Sequence, residues 1–295
     1  MITPVSAIAK RSHRAMIDIH SIIFSPEWGF LRFAILVGIC VSPALGVIGT
    51  MVVTRRISSL AGASTHAALG GFGLALFLQR VCMLEWFTPT LGAVIGAVGA
   101  AVAVGLVSIF AREREDTVIG AVWAVGMSIG LLFLDRTPGY VDWQGYLFGS
   151  ILLLTEHDLI MTLILDAVIL IPTVIFFPAL LAMSFDDTFA RLRGIKVTLM
   201  YIGLLILTAL TIVLLINLVG IMLVIALLTL PAAAAGCYTS HLRSTMFLAA
   251  LFNALFIFCG LLLSSIMALP SGPTVVVLAG IVYISSMIWK KYHSK

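Results

Sequence analysis

The sequence predicts an all-α fold, a polytopic bundle of about eight to nine transmembrane helices. Three observations carry this. Over 295 residues the chain is 61% hydrophobic and only 10% charged, with a mean hydropathy of +1.18; a water-soluble domain is about 45–50% apolar and about 25% charged. The apolar runs are long and continuous, as in Leu199–Ile216 and Phe247–Leu263, not alternating as in barrel strands. In lipid such runs satisfy their backbone groups as helices. Finally, Lys and Arg sit between the runs, where cytoplasmic loops collect them.

Residues 1–30 read as an N-terminal amphipathic, interfacial segment, with Lys10, Arg11 and Arg14 ahead of Ile17, Ile19, Ile22, Ile23 and Phe24. Residues 31–290 form a single transmembrane domain. The expected spans are Leu31–Val53, Ser58–Leu78, Thr90–Ala111, Val118–Leu134 and Leu159–Met183. Two more fit into Thr198–Cys237, with a bend at Asn217 and Gly220. The last two are Thr245–Ala268 and Thr274–Trp289. With nine spans the basic segments 55–56, 112–114, 191–196, 241–243 and 290–295 share one side, the cytoplasmic one. The basic N-terminal segment then lies on the outer surface or is drawn back across by a partial span. The net charge of +4 follows from these loops and does not point to nucleic acid; the partner implied is the lipid bilayer. The cysteines Cys40, Cys82, Cys237 and Cys259 have no CxxC spacing and read as small packing residues.

The second span, SSLAGASTHAALGGFGLALFL, is unusually polar and small-sided. It holds Ser64, Thr65 and His66 at membrane depth. Small residues bring helices close together, and an intramembrane ionisable group is a functional candidate. His66 therefore has two readings, a ligand for a divalent transition metal or a hydrogen-bonded packing residue. SFDDTFARLRGIK (residues 184–196) reads as a short cytoplasmic helix, with Asp186 and Asp187 at its start, Arg191 and Arg193 in its last turn and Gly194 as its stop. It is either a solvated loop or a docking element. Glu156, His157 and Asp158 fall on the outer side. They could receive a cation, but Thr155 and Asp158 also fit a capping pair, which is the favoured reading.

From about Leu31 to Trp289 the chain resembles the membrane permease subunits of the zinc/manganese (and sometimes iron) ABC importer family. The resemblance rests on five elements in order. They are Ser58, His66, Ala67 and Gly71 in the second span; Gly145–Leu152; Asp186–Ile195; Val219–Val224 with Leu230–Ala235; and Pro270–Val276. It implies a type II importer fold and a permease that itself hydrolyses nothing. The implied assembly has a second permease (the same or a different chain), cytoplasmic ABC ATPases docked on residues 184–196, and an extracytoplasmic metal-binding protein, in the bacterial cytoplasmic (inner) membrane. No permanently bound cofactor is implied. The cargo is Zn, Mn or Fe, and the metal pathway runs past His66, Ser64 and Thr65. One departure stands at the site: the family's Asp, four residues before the His, is Gly62 here.

The alternative to an ATP-driven permease is an ion-gradient-driven secondary transporter. It finds little support, since the spans contain almost no acidic residue apart from Asp166 and no clear repeat. A membrane enzyme is disfavoured by the lack of HExxH, GxSxG or a carboxylate pair in the spans.

Overall fold

The computed structural model describes residues 29–110, 115–139 and 154–293. The described part is helical: α1 Gly29–Thr54, α2 Ser58–Val81, α3 Pro89–Phe110, α4 Glu115–Arg136, α5 Glu156–Ile175, α6 Phe177–Phe185, α7 Asp187–Leu192, α8 Val197–Val219, α9 Ile221–Tyr238, α10 Leu242–Met267 and α11 Ser271–His293. Among the described residues eight helices are long and apolar enough to cross a membrane, and Leu223–Tyr238 is a shorter apolar one. Gly29 and Phe30 already belong to α1. The rest of the expected interfacial segment, like the motif Gly145–Leu152, lies outside the described residues.

Two breaks in the helices follow from backbone chemistry. The fifth span, expected as one helix to Met183, is divided into α5 and α6 at Phe176. Pro178 is the cause: it has no N–H to donate to the Val174 carbonyl and is accommodated in the first turn of a new helix. Between α8 and α9 the chain turns on Gly220, at φ 79° and ψ 162°, a region open in practice only to glycine. At 1.5 Å per residue the 18 residues of α9 cover about 27 Å, close to the hydrocarbon thickness.

The helices pack in two groups. In one, α2 lies between α3 and α4; in the other, α1 packs on α10, α9 and α5, and α11 closes against α9 and α10. Helix α8 touches both groups. In the first group the contact is backbone to backbone. A Cβ on Gly71 would strike the carbonyl of Gly92, and one on Gly70 would come 2.6 Å from the carbonyl oxygen of Gly126. Lipid tails are as apolar as leucine, so helices in a membrane gain chiefly from such close packing. This is why the small-residue sequence of α2 becomes an interior helix, not a lipid-facing one.

Candidate functional site

From Leu60 to Gly70 every residue of α2 is buried except His66. Successive helical residues turn by about 100°, so Ser64 and His66 point to nearly opposite sides of α2. Ser64 and Thr65 are fully buried. The Thr65 hydroxyl donates to the Ala61 carbonyl at 2.6 Å, and the Ser64 hydroxyl has no hydrogen-bond partner. The three residues singled out in the sequence therefore do not converge on one point. His66 alone offers a donor atom on the open side.

What faces His66 is Trp123 of α4. The two rings stack with centroids 4.8 Å apart and planes 18° from parallel. The imidazole Nδ1 is buried without a hydrogen-bond partner. The same indole covers Gly62, where a Cβ would lie 2.9 Å from the Trp123 Cζ3 atom. Gly62 and His66 share a helix face at i, i+4, and the indole spans both. The residue type at position 62 thus has a steric reason: a side chain there would displace the ring that lies on His66. Trp123 is not among the site residues expected from the sequence. Its signal was a tryptophan well inside a span, away from the interfacial belts where the residue concentrates.

Among the described residues no three His, Cys, Asp or Glu side chains group closely enough to hold a metal ion together. Asp166, in the middle of α5, is 7% exposed, and its Oδ1 has no hydrogen-bond partner. At the start of α5, Thr155 and Asp158 form a capping box. The Asp158 carboxylate accepts from the Thr155 N–H at 2.8 Å and from its hydroxyl at 2.7 Å. Glu156 and His157 are exposed beside it.

The opposite end collects the basic residues. The Lys290 ammonium reaches the Gly236 carbonyl at 3.4 Å, Arg243 stands over the Phe177 ring at 4.9 Å, and Arg55 pairs with Asp187 at 2.9 Å. Such a gathering of positive charge is what is expected of a cytoplasmic end. Helix α7 sits here, ordered by its own caps. The Asp186 carboxylate accepts from the N–H groups of Thr188 (2.8 Å) and Phe189 (3.1 Å), which satisfies the first free donors of the helix. At the other end Gly194, at φ 77°, closes a Schellman turn. Ile195 N–H donates to the Ala190 carbonyl and Gly194 N–H to that of Arg191. Ala190 packs inward, fully buried, while Leu192 is 84% exposed and Phe189 is exposed too, with Arg193 over its ring at 4.9 Å. Six residues could not hold a helix alone; the caps and the Ala190 contact do it.

Comparison with known proteins decides the family. The model of the ABC 3 transport family matches residues 27–290. The chain belongs to the ABC 3 transport family. A relative from Chlamydia pneumoniae, named a probable metal transport system membrane protein, is 38% identical over 254 residues, 86% of each chain. The manganese transport system membrane protein MntC of Listeria innocua is 30% identical over 263 residues, 89% of this chain and 91% of that one. Among solved structures, PsaBC from Streptococcus pneumoniae in complex with a Fab superimposes with a TM-score of 0.78 at 27% identity, covering 91% of this chain and 93% of that chain. As in these relatives the chain is a multi-pass membrane protein, and the family makes it a transport subunit, not an enzyme.

Proposed function

We propose that this chain is the permease subunit of an ATP-driven importer for a divalent transition metal ion in the bacterial cytoplasmic membrane. Relatives named for metal and for manganese transport support the cargo class. The observation that carries the ATP-driven part is α7. It is a self-capped helix of six residues, too short to span, with Leu192 and Phe189 exposed on it. An exposed apolar surface on such an element marks a protein contact. The partner is a separate cytoplasmic ABC ATPase that supplies the hydrolysis. The coupling segment is built from Asp186 and Gly194, which cap it, Asp187, which pairs with Arg55, and Arg191 and Arg193, which stand beside the two exposed apolar side chains.

The metal passes His66. One neutral imidazole per chain makes an incomplete site, so a second permease subunit, identical or different, supplies the facing donors. Incomplete coordination suits a transported ion, which must also leave. An extracytoplasmic metal-binding protein delivers the ion at the opposite end. The test is uptake of Mn²⁺ into vesicles holding the permease with and without its ATPase. Uptake that requires both ATP and the ATPase supports the assignment, and uptake by the permease alone, driven by an ion gradient, contradicts it.

A further inference from the structure

Arg55 joins three elements that the chain keeps far apart. Its guanidinium Nη1 donates to the Met183 carbonyl at 2.6 Å and to the Asp187 carboxylate at 2.9 Å. It also stands over the Tyr201 ring of α8, 5.4 Å from the centroid. The side chain is only 17% exposed, against 45% for Asp187. The Ser184 hydroxyl donates to the Leu180 carbonyl of its own helix at 2.7 Å and lies 3.6 Å from the Met51 sulfur. The residue that follows α1 is thus bonded to both ends of the segment that leads into α7, at Met183 and at Asp187.

The chain leaves α1 through a tight corner. Arg56 is left-handed at φ 59°, Arg56 N–H donates to the Val53 carbonyl, and Ile57 N–H donates to that of Val52. This is a Schellman closure with an arginine where glycine is usual. Helix α2 begins at the next residue, Ser58, and His66 lies about two turns further along. The Arg55–Asp187 ion pair, the corner and α2 form one short path from α7 to the imidazole, covalent from Arg55 onward. An open cleft of about 170 Å³ separates this joint from part of α8, lined by Arg55, Asp187, Ser108, Arg191 and Tyr201 among others.

We propose that Arg55 is the strut that passes displacement of α7 to the α1–α2 corner and so to the His66 helix, coupling ATP hydrolysis to metal movement. This rests on the reading of α7 as the ATPase contact. Arg55 is a positioning residue here, since it touches neither metal nor nucleotide.

The experiment uses the permease reconstituted with its ATPase, with Mn²⁺ as the probe, and reads Mn²⁺ transported per ATP hydrolysed. In Arg55→Gln the ATPase stays bound and hydrolysis stays within about twofold, while transport per ATP falls about tenfold, inside the range for coupling between sites. Arg55→Lys recovers part of the ratio. Asp187→Asn, on an exposed carboxylate that does not threaten folding, lowers the ratio as well. The double variant is no worse than Arg55→Gln alone, because both changes break one link. An unchanged ratio in Asp187→Asn overturns the proposal. So does a parallel fall of hydrolysis and uptake in Arg55→Gln, or loss of the ATPase from it, since the arginine would then serve folding or docking. The underlying reading fails separately, if the ATPase still binds after residues 186–195 are scrambled.

Discussion

The imidazole of His66 lies flat against the indole of Trp123, 4.8 Å between centroids, and the same indole fills the space over Gly62. The three residues form one unit. The ring holds the imidazole in place, and the glycine leaves room for the ring. Trp123 remains 41% exposed, so its far face is open to whatever the site meets.

Trp123→Ala releases His66 from that contact. A stacked aromatic pair contributes roughly 0.5–1.5 kcal/mol beyond its buried area. If that order is used to hold the donor, Mn²⁺ binding weakens by roughly 2- to 10-fold. Because the indole is not a core residue, thermal unfolding of the purified protein should shift little. Isothermal titration with Mn²⁺ and a melting curve check the two halves.

Gly62→Asp tests the steric account. Alone, the new side chain pushes into Trp123 and should destabilise the protein by roughly 1–3 kcal/mol, as overpacking does. Combined with Trp123→Ala, the carboxylate fits. It then sits at i, i+4 from His66, adding an anionic oxygen to a neutral nitrogen. The double variant should melt above Gly62→Asp and bind Mn²⁺ more tightly than Trp123→Ala. Equal melting of the single and double variants would mean that the indole does not set the residue at position 62.

Gly220→Ala should cost roughly 1–3 kcal/mol, because φ 79° with ψ 162° strains any residue with a Cβ. A thermal melt reads it directly. An unchanged melting temperature would show that the α8–α9 junction relaxes without penalty.

Thr155→Ala removes the capping box of α5 and should cost about 1 kcal/mol in stability, with Mn²⁺ uptake unchanged. A specific loss of uptake at unchanged stability would instead assign the outer cluster to the cargo.

The fold was largely legible in the sequence, because lipid leaves a continuous apolar run no option but a helix. Gly220 and Pro178 marked the breaks by their backbone chemistry, although Leu159–Met183 had been expected to run unbroken through Pro178. The site was legible only in part. His66 stood out as an ionisable group at membrane depth. Ser64 and Thr65 looked equivalent to it by proximity, yet the helical turn points Ser64 away and Thr65 bonds to its own helix. Trp123 and Arg55 were missed for a common reason. Their partners lie 57 and 132 positions away along the chain (123 − 66 and 187 − 55), and no local pattern encodes such a meeting. Gly62 held the clue, since a missing side chain in a packed helix implies a large one arriving from elsewhere.

The central claim is that His66 is the point at which this permease touches its cargo. ATP-driven Mn²⁺ uptake by His66→Ala, reconstituted with its ATPase, tests it most directly. The account predicts a fall of more than about tenfold, the least that even outer partners of metal ligands cost, with ATPase binding and melting temperature unchanged. Uptake at the level of the unaltered protein would contradict it and leave His66 as a packing residue against Trp123.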